Sequence, residues 1–171
     1  MHLDDDDFTL FGLATAFAQD RAALDVRWKA LQAEVHPDRF ASEGAAAQRV
    51  AMQWAVRVNE AYQRLKDPLK RASYLCELKG APIQAESNTA MPAEFLMKQM
   101  EWREALDDAH DDADLEQLRQ EVALQRRSTL DGIGRLIDVE HNFAAAAQLV
   151  RALMFVERFS DEVERKQDTL D

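Results

Sequence analysis

The chain has 171 residues, 47% of them apolar, with only five glycines and four prolines, a composition that favours helices over sheet. Its formal net charge is −11, which argues against nucleic acid as a ligand for the acidic half, because phosphate binding needs a basic footprint. A single cysteine, Cys76, excludes an internal disulfide and a cysteine-built zinc or iron–sulfur site within one chain.

The charge is unevenly spread. Residues 1–80 hold 12 acids and 11 bases, and residues 81–171 hold 20 acids and 10 bases. Four of the front acids are the run Asp4–Asp7, so the rest of that half is slightly basic. A basic front and an acidic back suggest two different protein partners. The aspartate run is incompatible with a signal-peptide core. The longest apolar stretch, Phe143–Val156, is interrupted by Gln148 and Arg151 and is too short to span a bilayer. A soluble, cytoplasmic protein with no membrane partner is expected.

Ordered structure is expected to open with Phe8-Thr9-Leu10-Phe11-Gly12-Leu13, followed by a short helix over Ala14–Gln19. Asp20 is the N-cap candidate of the next helix, where Leu24, Trp28, Leu31 and Val35 form one stripe at the 3.6 period. Arg21, Arg27 and Lys29 fall off that stripe. Ser42 is the expected cap of a helix to Lys66, whose apolar face includes Val50, Ala51, Trp54, Val58, Tyr62 and Leu65. Pro68 opens a helix to about Lys79, where Gly80 ends it and Pro82 prevents restart. Residues 81–91 contain Pro, Ser, Asn and Thr without periodicity and read as a linker. Helices are then expected near Pro92–Ala109, Ala113–Ile137 and Asn142–Gln167, packed as an antiparallel bundle. The fold class is thus all-α, with units at 8–80 and 92–171.

Between the second and third of these patterns lies His36-Pro37-Asp38. A polar tripeptide with a proline at its centre continues neither helix, so it is expected at the exposed tip of a helical hairpin. There an imidazole and a carboxylate flank a ring that fixes its own φ.

The helix from Pro92 offers a second feature. With Phe95 at 0° and 100° per residue, Trp102, Leu106 and Ala109 fall within about 40° of it, a core stripe. Leu96, Met97 and Met100 fall at about 100°, 200° and 140°, on the opposite side beside Glu101, Glu104 and Asp108. An apolar patch rimmed by acids opposite the core suggests a partner surface, and methionine suits adaptable contact. A third helix covering this face is the bland alternative.

The hairpin with its His36-Pro37-Asp38 tip, basic first helix and upstream Phe-x-x-Phe-Gly-Leu resembles a J-domain, the module that activates DnaK-type chaperone ATPases, over Phe8 to about Leu78. The segments "FTLFGL", "HPDRFAS", "RASYLCELKG" and "EFLMKQMEWREALDDA" further resemble the HscB family, the J-type co-chaperones of iron–sulfur cluster assembly. The paired N-terminal cysteines of some eukaryotic members are absent from the sequence, so the likeness is to the bacterial type, with no zinc site and no cofactor implied. The resemblance implies that His36, Pro37 and Asp38 activate the chaperone HscA, with Arg27, Lys29 and Arg39 as docking cations. It implies that Leu96, Met97, Met100, Glu101, Glu104, Asp108 and Phe155 bind the scaffold protein IscU. Met100 stands where the family has a leucine, and Asp108 where it has a longer acid. No catalytic residue is implied.

Two other readings follow from the residues. One is a general J-domain adaptor for another client. The other is a helical metal phosphohydrolase built on His110-Asp111 with His36 and Asp138. It is short of ligands, since only four histidines exist and such centres need several converging groups. His110-Asp111 also fits a polar interhelical turn. Cys76 reads as a small buried helix residue.

Overall fold

The computed structural model describes residues 1–170, and all regular structure among them is helical. The chain divides into two compact units, Met1–Leu75 and Cys76 onward.

In the first unit, α1 (Asp7–Phe11) is started by the Asp6 carboxylate, which accepts from the Thr9 N–H at 2.9 Å, and is closed by Gly12 at φ 64°. Only glycine adopts that conformation cheaply. The helix expected over Ala14–Gln19 is absent. The Gln19 side-chain amide donates to the carbonyls of Ala14 and Ala16, each at 2.9 Å, and so fixes an irregular bend. The Asp20 carboxylate then accepts from Ala22 and Ala23 N–H and starts α2 (Arg21–Val35).

A second departure lies at the hairpin tip. Pro37 is preset for the first turn of a helix, and a 3₁₀ run begins there at once, Pro37–Glu43. That run absorbs Ser42, so α3 (Ala45–Lys66) is preceded by Gly44 at φ 98°, without a side-chain cap.

The α2–α3 pair is zipped by side chains. Trp28 and Tyr62 stack with ring centroids 4.2 Å apart. The Trp28 indole N–H donates to Asn59 Oδ1 at 3.1 Å, and the Tyr62 hydroxyl donates to Asp25 at 2.7 Å. The Tyr62 hydroxyl, then Arg21, hold the Asp25 carboxyl below the usual carboxylate range.

Asp7, the last residue of the acidic run, is fully buried. Its oxygens accept from Arg57 at 2.7 Å and from Arg64 at 2.6 and 2.9 Å, while its N–H donates to the Tyr74 hydroxyl at 2.9 Å. A buried carboxylate persists only when paired and hydrogen-bonded. These bonds fasten α1 and the N-terminal segment to α3.

Asp67 caps α4 (Pro68–Leu78) through Leu69 N–H at 2.9 Å, and Gly80 at φ 80° follows the helix. The second unit contains α5 (Ala93–Asp108), α6 (Asp112–Gly134) and α7 (Phe143–Leu170). Its core joins Phe95, Trp102 and Leu106 of α5 to Leu115 and Leu118 of α6 and Val156 and Phe159 of α7. The sequence predicts α6 to Ile137; instead it ends at Gly134 and widens into a π turn, Arg135–Val139. Gly132 lies where a Cβ would meet Leu149 Cδ1 of α7 at 3.1 Å, so that glycine permits close helix approach. Asn142 caps α7 by accepting from Ala145 N–H at 3.1 Å.

Residues 81–91 carry no helix, and the carbonyls of Pro82, Ile83 and Ala90 accept from Arg151. Cys76 is buried, and burial pushes its thiol up to about 11. Among the described residues no helix is long and apolar enough to cross a membrane.

Candidate functional site

His36 ends α2 in extended geometry, and its Nδ1 accepts from the Asp38 N–H at 3.2 Å. In a neutral ring, an accepting Nδ1 places the proton on Nε2. Pro37 removes one backbone donor and fixes the turn between the imidazole and the carboxylate. The Arg39 N–H donates to the His36 carbonyl at 3.0 Å, closing the first 3₁₀ turn. The Asp38 side chain is 93% exposed, with His36 Nδ1 3.8 Å from its carboxylate. The carboxylate can therefore accept a bidentate pair of bonds from an incoming arginine.

The three cations differ in their freedom. Lys29 and Arg39 are exposed. Arg27 is exposed too, but its Nε donates to the Phe11 carbonyl at 3.1 Å. It therefore ties α1 to α2 and offers only its remaining nitrogens to a ligand. Exposed cations of this kind mainly speed association and weaken with salt.

In the second unit the expected apolar patch faces water. Leu96, Met97 and Met100 are 51%, 65% and 76% exposed, while Phe95 and Trp102 on the opposite side of α5 are buried. Glu101, Glu104 and Asp108 are exposed on the same helix. Phe155 is half-buried and stacks on Trp102, with centroids 5.6 Å apart; Phe159, one turn on, is buried beneath them. Phe155 is therefore partly a core residue, more enclosed than its helix position suggests.

Between α5 and α7 lies a groove of about 490 Å³ lined by Gln99, Met100, Arg103, Phe155, Arg158, Phe159 and Glu162. Arg103 grips Glu162 with both terminal nitrogens and holds that carboxyl below its usual range. Sequence reasoning missed Gln99, Arg103, Arg158 and Glu162. The signal was present for Arg103, which falls at about 80° on the α5 wheel, between the core stripe and the patch.

His110-Asp111 forms a helix start. The Asp111 carboxylate accepts from the Asp114 N–H at 2.8 Å and caps α6. Among the described residues no three of His, Cys, Asp and Glu converge as a metal set would.

Comparison with known proteins places these features in context. Residues 91–164 match the family described as the HSCB C-terminal oligomerisation domain. A co-chaperone protein HscB homolog of Bordetella petrii is 51% identical over 160 residues, 93% of this chain and 94% of that protein. The homolog of Burkholderia multivorans is 52% identical over 165 residues, covering 94% and 93%. The solved chaperone HscB of Vibrio cholerae superposes with a TM-score of 0.84 at 36% identity, covering 98% of this chain and all of that one. The crystal structure of the human co-chaperone protein HscB gives 0.89 at 25% identity, covering 98% and 84%.

Proposed function

This chain belongs to the HscB family of co-chaperones, and we propose that it is a cytoplasmic adaptor that binds the iron–sulfur scaffold IscU, delivers it to the DnaK-type chaperone HscA and stimulates that chaperone's ATPase. The observation that carries the reading is the presentation of His36-Pro37-Asp38. A rigid hairpin, zipped at Trp28–Tyr62 and Asp25–Tyr62, holds a 93%-exposed carboxylate at its tip. Such a loop loses little entropy on docking, because its geometry is already set.

In this reading Asp38 accepts from a chaperone arginine, and His36 keeps the loop in register through its bond to the Asp38 N–H. Lys29, Arg39 and the free nitrogens of Arg27 steer the encounter. The exposed Leu96, Met97 and Met100, with Phe155 at their edge, supply the apolar contact for the scaffold. Glu101, Glu104 and Asp108 rim that contact with negative charge. One chain that holds both partners makes the delivery step effectively intramolecular. The chain itself makes and breaks no bond in this scheme.

A steady-state ATPase assay with HscA tests the loop. His36→Gln and Asp38→Asn should abolish stimulation while circular dichroism and melting stay at parental values. Stimulation equal to the parent's would reject the assignment.

A further inference from the structure

Arg151 lies in the most apolar stretch of α7 and is only 8% exposed. A guanidinium cannot shed its charge, so its burial demands hydrogen-bond partners. The partners are main-chain carbonyls: Nε donates to Ile83 O at 3.0 Å, Nη1 to Ala90 O at 3.1 Å and Nη2 to Pro82 O at 3.4 Å. All three belong to the non-helical strap that leads into α5. That helix begins at Ala93 behind Pro92 and has no side-chain cap of its own.

The other end of α5 is held by the same kind of contact, since Lys166 Nζ donates to the Leu106 carbonyl. On α7 the two cations are fifteen residues apart, roughly 22 Å. The Ala90 carbonyl lies just before α5 (Ala93–Asp108) and the Leu106 carbonyl lies in its last turn. Between these clamps Trp102 stacks on Phe155 and Phe159, at 5.6 and 5.3 Å. Arg151 and Phe155 are one turn apart on a single helix. The helix that presents Phe155 therefore also grips both ends of the helix that presents Leu96, Met97 and Met100.

We propose that Arg151, with Lys166 at the far end, is a register clamp: a positioning residue that fixes the outer face of α5 against Phe155 so that both form one binding surface. This rests on the reading of that face as the scaffold site. A screw slip of one residue would move Leu96 and Met100 by about 1.5 Å and turn them through about 100° relative to Phe155. Packing of Phe95, Trp102 and Leu106 resists that slip. The main-chain bonds of Arg151 add a restraint that does not depend on which side chains the strap carries.

The test uses the full chain and apo IscU in titration calorimetry, with hydrogen exchange read over residues 81–92. Arg151→Met should raise exchange in that segment at least tenfold and weaken binding at least tenfold. Arg151→Lys, which keeps the charge and one donated bond, should recover part of both. In the Phe155→Ala background Arg151→Met should weaken binding less than threefold, because register then matters less; such non-additivity marks coupled residues. Should Arg151→Met fail to fold, Lys166→Met at the half-buried end carries the binding comparison, with exchange then read over the last turn of α5, around Leu106. Binding within twofold of the parent despite a released strap overturns the clamp. Unchanged exchange overturns it too, and so does full additivity with Phe155→Ala. A Leu96→Ala/Met97→Ala variant separates the two ideas: if it binds like the parent, the scaffold-site reading fails, whereas failure of the clamp alone leaves that variant's loss intact.

Discussion

Replacing Asp7 by Asn tests how the N-terminal unit is fastened. The carboxylate is fully buried and accepts three charge-assisted bonds from Arg57 and Arg64, between 2.6 and 2.9 Å. Asparagine keeps the shape but loses the charge and turns an N–H₂ toward two guanidinium groups. Removing one partner of a buried ion pair costs roughly 3–5 kcal/mol. Two features lower that figure here. The Arg64 side chain is 39% exposed and can rotate into water. Arg57 keeps the carbonyls of Leu3 and Asp5, at 3.2 and 2.6 Å. The expected loss is therefore about 2–4 kcal/mol. For a unit of this size each kcal/mol moves the melting temperature by about 4–8 °C, so a drop of at least about 8 °C is expected. Hydrogen exchange resolved by segment should assign the loss to residues 1–75, with α3 losing more than tenfold in protection and α6 and α7 unchanged. Asp4→Asn, a change at an exposed site, serves as control and should melt like the parent. A melting temperature for Asp7→Asn within 2 °C of the control would refute the view that Asp7 anchors α1.

Truncating Leu96, Met97 and Phe155 together to Ala should weaken scaffold binding by several kcal/mol, as for a hot-spot cluster, in titration calorimetry. Because Phe155 stacks on Trp102, the same variant should also lose about 1–2 kcal/mol in urea unfolding, and no stability change would contradict that packing. Cys76 should resist a thiol reagent at pH 8 in the native protein and react once unfolded, since burial pushes its thiol up to about 11; fast native labelling would contradict its burial. The unfolded thiol ionises first, so this group's contribution is intact below pH 9 and is lost between about pH 9 and 11, a fall of roughly 2–3 kcal/mol. Denaturation across that window should disappear as a Cys76-dependent effect in Cys76→Ala. Raising salt from 0.05 to 0.5 M should slow chaperone association, because Lys29 and Arg39 are exposed charges; a salt-independent rate would remove them from the encounter.

Long amphipathic stripes were readable because burial imposes the 3.6 period on the sequence. In the Leu24–Trp28–Leu31–Val35 stripe three residues are buried and Trp28 is half-buried, and the Phe95–Trp102–Leu106 stripe is buried throughout. The outward patch at Leu96, Met97 and Met100 was readable by the same rule, since it violates the expected polar outer face. What stayed hidden depended on contacts far apart in sequence. Asp7 looks like one more member of a solvated run, and only its meeting with Arg57 and Arg64, some fifty residues away, makes it a buried anchor. Arg151 looks like an interruption of an apolar helix until the strap carbonyls surround it. The expected helix that is absent, at Ala14–Gln19, and the boundaries that shifted, at Ser42 and Ile137, lie where local bonds compete. A glutamine side chain takes the Ala14 and Ala16 carbonyls, a proline starts a 3₁₀ turn early, and α6 gives way to a π turn.

The ATPase rate of HscA, measured with this chain and then with apo IscU added, bears most directly on the claim that one adaptor joins two partners. The parent should stimulate alone and stimulate further with the scaffold. Asp38→Asn should lose both increments, while Leu96→Ala/Met97→Ala should keep the first and lose the second. Equal scaffold-dependent stimulation by all three proteins would contradict the account.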